Sequence, residues 1–219
     1  MENFFRPERE IGNMSEELVF EGNPESGQGL LIIPGISSGP FGSPFDEVVE
    51  EVSDYYSVVR IDAWEGAKDL EEMNLKDLHD LIGEACELLN SNGCESISVL
   101  GKSFGGQLAL TYPENNNFKK MVLWAPAIGF GEDSVEKWRS TKIKHAKTAT
   151  DISVDKTFLG KINSEVKIIH GTEDQVVDIE NSRKICKALP ECEFEKVENA
   201  GHSFEKFESV LVEESLIFY

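Results

Sequence analysis

The stretch Ser96-Ile97-Ser98-Val99-Leu100-Gly101-Lys102-Ser103-Phe104-Gly105-Gly106-Gln107-Leu108-Ala109-Leu110 joins three patterns. A short run with alternating β-branched residues reads as a strand ending near Leu100. A serine bracketed by glycines follows, and small residues from Gly106 open a helical run. A serine on a sharp strand-to-helix turn sits in a strained backbone conformation with its hydroxyl exposed. Bulky side chains two positions to either side would strike adjoining elements. Gly101 and Gly105 remove that collision. G-x-S-x-G alone is a weak signal, and the strand before it and the helix after it supply the context that makes it informative.

Outward from this turn, apolar strand-like runs alternate with amphipathic helical stretches. Strands are expected at Leu30 to Ile33, Ser57 to Ile61, Ile97 to Leu100, Met121 to Trp124, Val166 to Ile169 and Phe194 to Val197, with Leu18 to Glu21 as an added edge strand. Helices are expected from Phe45 to Val52 behind the N-cap pair Ser43-Pro44, and from Asn74, as cap, to about Leu89, stopped by Asn92-Gly93. Two more span Asp178 to Leu189, ended by Pro190, and Phe204 to Phe218. This alternation predicts an α/β fold: a mostly parallel central sheet of about six or seven strands with helices on both faces. Residues 1–219 read as a single domain. From Ala127 to about Ser164 the connection is too long for a simple crossover, with helix-like pieces around Ser134 to Lys147. It reads either as a small cap insertion around 127–164 or as an ordinary helix with irregular flanks.

The 219 residues carry 41 acidic and 21 basic side chains, a formal charge of -20. That field repels nucleic acid and anionic lipid, and repels anionic substrates at long range. No stretch approaches a membrane-spanning length, and residues 1–8 lack a continuous apolar segment, so a cytoplasmic protein is expected. Cys86, Cys94, Cys186 and Cys192 show no C-x-x-C spacing and no clustering with histidine, which argues against zinc. Free thiols are expected, with a Cys186–Cys192 bridge as the alternative.

A serine hydroxyl is a weak nucleophile at neutral pH and needs a base, which in turn needs a group to hold its tautomer. Asp174 lies in the turn His170-Gly171-Thr172-Glu173-Asp174 after one expected strand, and His202 in the turn Asn199-Ala200-Gly201-His202 after the next. In a parallel sheet the strand C-termini share one edge, so Ser103, Asp174 and His202 can converge there.

In this order the chain resembles the α/β-hydrolase superfamily, with Gly101 to Gly105 as its nucleophile elbow. The resemblance covers nearly the whole chain. Leu31-Ile32-Ile33-Pro34-Gly35-Ile36 resembles the strand and turn that carry a His-Gly dipeptide and an oxyanion amide, with Pro34 in place of the histidine. Asp62-Ala63-Trp64-Glu65-Gly66 resembles a D-x-R-G turn without its arginine. The resemblance implies Ser103 as nucleophile, His202 as general base then acid, Asp174 as the orienting carboxylate, and the backbone N–H groups of Ile36 and Phe104 as oxyanion donors. Glu173, Asp178 and Asp133 compete for the carboxylate role, but Glu173 and Asp178 read as solvated loop or helix-start charges.

His79, His145 and His170 read as surface, cap and strand-end residues with surface or structural roles. Phe41, Phe45, Phe130 and Trp138 are candidate pocket walls, with ordinary packing as the competing explanation. Lys102 is assigned no chemistry. The expected activity is hydrolysis of an ester or thioester of a small to medium uncharged acyl group, a small-molecule substrate handled without metal or cofactor. An aminopeptidase or amidase of the same fold is the alternative enzyme, and carboxylates such as Glu132 and Asp133 facing the pocket would favour it. A noncatalytic binding member of the fold is the alternative from another class.

Overall fold

The computed structural model describes residues 17–23, 26–132, 135–143 and 151–219. Asp133, His145 and both ends of the stretch expected over Ser134 to Lys147 lie outside them. Seven strands form one sheet: β1 (Leu18–Glu21), β2 (Gln28–Ile33), β3 (Ser57–Ile61), β4 (Ser96–Lys102), β5 (Phe118–Trp124), β8 (Glu165–Gly171) and β9 (Cys192–Val197), in the spatial order β1-β3-β2-β4-β5-β8-β9. Only the edge strand β1 runs antiparallel to its neighbour. Every expected strand is present, several of them two or three residues longer than the apolar run that signalled it, because strand ends carry polar residues that pattern reading discards.

The sheet is covered on both faces. Leu31, Ile33, Val59, Val99, Met121, Leu123 and Ile168 point into one core with α2 (Leu75–Ser91), α3 (Phe104–Thr111) and α6 (Ile179–Ala188). Leu30, Ile32, Val58, Leu100, Val122, Trp124 and Ile169 point into the other with α1 (Phe45–Val52) and α7 (Glu208–Phe218). Alternate residues of central strands thus serve opposite cores, which is why these strands read as near-continuous apolar runs. Each buried Leu, Ile, Val or Phe stabilises the fold by about 1.5–3 kcal/mol before the entropy of ordering the chain is counted.

The helix starts follow local chemistry. Asn74 closes a capping box on α2, accepting from the Lys76 and Asp77 N–H groups while Asp77 accepts from the Asn74 N–H. Gly93, at φ 91°, follows Asn92 at its end. Asp178 caps α6 through the Glu180 N–H. Ser43 does not cap α1: Pro44 holds that position, and the Ser43 hydroxyl donates instead to the Glu47 carboxylate, 2.7 Å away. The C-terminal helix begins at Glu208 rather than Phe204, whose φ of 58° excludes it from helix.

Between β5 and β8 the described residues form a two-stranded parallel pair, β6 (Gly129–Phe130) with β7 (Ser153–Val154), and two single-turn helices, α4 (Val135–Trp138) and α5 (Lys156–Leu159). This insertion rests on the start of α2, where Lys76 N–H donates to Arg139 C=O and Ile143 N–H to Met73 C=O.

Two expectations need correction. His79 is 3% exposed rather than on the surface; its Nε2 meets the Thr111 hydroxyl at 3.1 Å, because its face of α2 packs on α3. Cys186 and Cys192 are bonded, with Cα atoms 5.3 Å apart, rather than free. The tight Ala188-to-Glu191 connection brings the last turn of α6 onto the first residue of β9, a proximity that spacing alone does not reveal. Cys86 and Cys94 remain as free thiols. Denatured, unreduced protein is therefore expected to titrate with two thiols and reduced protein with four, and Cys186→Ser should lower stability by about 2 kcal/mol. Four reactive thiols before reduction would contradict the bridge.

Candidate active site

Ser103 stands between β4 and α3 with φ 51° and ψ -111°, a conformation that costs a non-glycine residue about 1–3 kcal/mol. The surrounding backbone holds it there. Its N–H donates to the Trp124 carbonyl at 2.7 Å, and its carbonyl accepts from Ala127 N–H at 2.9 Å and from Gln107 N–H at 3.1 Å. The bracketing glycines are required by space. A Cβ on Gly105 would lie 2.0 Å from the Ile33 carbonyl oxygen, and one on Gly101 2.8 Å from the Gly105 carbonyl oxygen. Gly105 therefore lets the start of α3 sit directly against the end of β2, and Gly101 lets it fold back closely on β4.

At the same rim, the turns after β8 and β9 are stitched to each other. Thr172 N–H donates to Val197 C=O, Glu173 N–H to Ala200 C=O, and Asn199 N–H to the Thr172 hydroxyl. Gly171 permits this approach, since a Cβ there would fall 2.2 Å from the Ala200 carbonyl oxygen. Asp174 and His202 are thereby brought together: Asp174 Oδ2 lies 2.7 Å from His202 Nδ1, and His202 Nε2 lies 3.0 Å from Ser103 Oγ. A carboxylate can only accept, so the proton sits on Nδ1, leaving the Nε2 lone pair to face the hydroxyl. The Asp174 side chain is wholly buried and the imidazole is 21% exposed.

The sequence did not signal how fully this carboxylate is held. Its Oδ1 accepts from the Val176 and Val177 N–H groups, both at 2.8 Å, and its Oδ2 also lies 3.1 Å from His170 Nε2. His170 is buried, with Val177 C=O at 3.2 Å from the same nitrogen and the Ser182 hydroxyl at 2.8 Å from Nδ1. Facing two acceptors, Nε2 carries the proton and donates. Burial pushes the Asp174 pKa up, but the hydrogen bonds from His170, His202 and the Val177 N–H outweigh it and hold the carboxyl far below the usual range. Glu173 is exposed and Asp178 caps a helix, so neither competes for the imidazole.

The turn after β2 lies beside the serine: a Cβ on Gly35 would be 3.5 Å from Ser103 Cβ. Ile36 is half-buried there, and Phe104 is the first residue of α3, where no carbonyl one turn back exists to accept its N–H. Among the described residues neither the Ile36 nor the Phe104 N–H has an acceptor.

The candidate pocket residues divide. Phe45 is 2% exposed and stacked on Trp124 with ring centroids 5.1 Å apart, so it is core and not a pocket wall. Phe41 is 48% exposed, its ring under the Arg60 guanidinium. Phe130 and Trp138 are half-buried on the insertion, and Trp138 Nε1 is buried without a partner among the described residues. Lys102 is half-buried; burial draws its ammonium pKa down and Glu208 opposes the shift. A groove of about 990 Å³ runs along α2 past His79, Tyr112 and Arg139, and none of the three convergent residues lines it. Among the described residues, no group of three or more His, Cys, Asp or Glu is placed to hold a metal ion.

No protein-family model matches the chain, and no curated protein matches its sequence. Solved structures do match its backbone. Ferulic-acid-bound Est1E from Butyrivibrio proteoclasticus superposes with a TM-score of 0.75 at 19% identity, covering 92% of each chain. A Paleococcus ferrophilus monoacylglycerol lipase gives 0.67 at 14% identity, covering 92% of this chain and 98% of the other. MenH from S. aureus gives 0.65 at 18% identity, covering 91% and 99%. The chain has the α/β-hydrolase fold, with a seven-stranded, mostly parallel sheet.

Because the folded Asp174 carboxyl titrates below its unfolded value of about 4, its stabilisation is complete above that pH and drains away as pH falls toward the folded value. Between about pH 5 and about pH 3 the melting temperature of the wild type should therefore fall more steeply than that of Asp174→Asn. Parallel acid limbs in thermal melts would show that the carboxylate is not held as described.

Proposed function

We propose that the chain is a serine hydrolase that cleaves a carboxylic ester or thioester through an acyl-enzyme. The single observation that carries this reading is the imidazole of His202, hydrogen-bonded at one nitrogen to Asp174 and at the other to Ser103. Ser103 Oγ attacks the substrate carbonyl carbon as His202 Nε2 takes its proton. Asp174, ionised at neutral pH, stabilises the imidazolium that forms. The N–H groups of Ile36 and Phe104 receive the oxyanion, and the start of α3 adds a favourable dipole. The intermediate collapses as Nε2 returns its proton to the leaving alcohol or thiol. Water, deprotonated by the same nitrogen, then releases the acid and restores Ser103. These steps call on no metal or organic cofactor.

The charge supports the substrate class. A net charge of -20 disfavours anionic acyl groups, and on this reading the half-buried Phe130 and Trp138 of the insertion would supply apolar surface to a short or medium chain. Residues 127–164 would then serve as a small cap on a single catalytic domain. Amide cleavage gains no such support: Glu132 is solvent-exposed and Asp133 lies outside the described residues. A binding protein of this fold would have no need to retain all three polar groups in hydrogen-bonded order.

Nitrophenyl esters of rising chain length provide the test. Turnover should be highest for short to medium chains and fall by at least about 10³-fold in Ser103→Ala and in His202→Ala. Equal rates for wild type and Ser103→Ala would remove the assignment.

A further inference from the structure

Trp64 stands in the Asp62-to-Gly66 turn at the place where the resembling D-x-R-G turn carries arginine. It is buried, and its indole reaches both segments that carry the proposed oxyanion donors, the turn after β2 and the start of α3. Its Nε1–H donates to the Gly35 carbonyl at 2.9 Å, and its ring meets that of Phe104 edge to face, with centroids 5.9 Å apart and planes at 72°. The Gly35 carbonyl belongs to the same peptide group as the Ile36 N–H. That peptide is trans, since the only cis bond among the described residues precedes Pro44, so the carbonyl and the N–H point in opposite directions. Holding the oxygen therefore fixes the direction of the N–H. The turn otherwise has little to hold it: Pro34 has no N–H, and Gly35 contributes no side chain.

We propose that Trp64 is the positioning residue of the oxyanion site, its indole N–H fixing the Gly35–Ile36 peptide and its ring bracing Phe104, so that the two backbone donors keep one mutual geometry. The proposal rests on the hydrolytic reading above. Trp64 touches no reacting atom; it acts through the two amides. Oxyanion donors work because they are aligned before charge develops, so a donor left to swing loses transition-state stabilisation while the ground-state complex is little changed. An arginine could hold a carbonyl in the same way. Here an aromatic donor does so while also filling the space above Phe104, which ties the two amides to one rigid side chain.

The test compares full-length wild type, Trp64→Phe and a chain with 3-benzothienylalanine at position 64. The last replaces the N–H with sulfur in a bicycle of the same shape, so it keeps the packing should Trp64→Phe fold poorly. With a nitrophenyl ester, both should lose about tenfold in kcat, with KM within about twofold and the acid midpoint of the pH–rate profile unmoved, because the triad is untouched. Asn115→Ala serves as the stability control. It removes a buried bond to Leu110 C=O on the N-terminal side of β5, and should lower the melting temperature while retaining kcat. Wild-type kcat in both Trp64 variants overturns the proposal. So does a loss that appears as a raised KM or a displaced pH midpoint. Absence of Ser103-dependent turnover in the wild type is a different outcome, and it removes the hydrolytic reading itself.

Discussion

The site depends on one close approach of backbone to backbone. Gly105 at the start of α3 lies so near the end of β2 that no side chain fits between them, and this contact fixes where the chain turns after β4. From it follow the strained backbone of Ser103, the placement of its hydroxyl at the rim of the sheet and the position of the first amide of α3, whose N–H has no acceptor among the described residues. The turn after β2 is carried to the same place by the same contact. A single steric constraint thus sets the nucleophile and the start of α3 and brings the turn after β2 beside them, and it explains why the motif needs its glycines at those positions.

On the other side of the hydroxyl, order comes from a carboxylate rather than from sterics. The Asp174 side chain is buried, and burial alone pushes its pKa up, toward the neutral form. The two Val amides, His170 and His202 supply enough hydrogen bonds to reverse that tendency. Ser182 on α6 extends the chain of contacts through His170 to Asp174, His202 and Ser103. The imidazole is in this way tied to a helix packed against the sheet, although it sits on a loop. Support of this kind matters, since an error of about 1 Å in the position of a reacting group can cost about a hundredfold in rate.

Much of this was legible in the sequence because the physics is local. The strand preceding Ser103, the glycine pair, the Asn74 cap and the turns bearing Asp174 and His202 each carry their reason within a few residues. What escaped reading is nonlocal. His79 looks in sequence like a surface histidine, and its burial is decided by the α2 to α3 contact; His170 reads as a strand-end residue, and its link to Asp174 and Ser182 is set by the turn after β8 and by α6. Phe45 stands near the expected mouth along the chain, but its ring is turned inward onto Trp124. The Cys186–Cys192 bond depends on how α6 returns to the sheet, and Gly171 declares its role only beside Ala200. Trp64 read as a departure from a familiar turn, and its bond to Gly35 appears only when β2 and β3 lie side by side.

The account reduces to the claim that the Ser103 hydroxyl, alone among the serines, is activated by its surroundings in the folded protein. Reaction with a fluorophosphonate at neutral pH, followed by mass spectrometry of the digested chain, measures that directly. A single adduct on Ser103, abolished by prior unfolding, is the predicted result. No adduct on the folded protein, or one distributed over other residues, would contradict it.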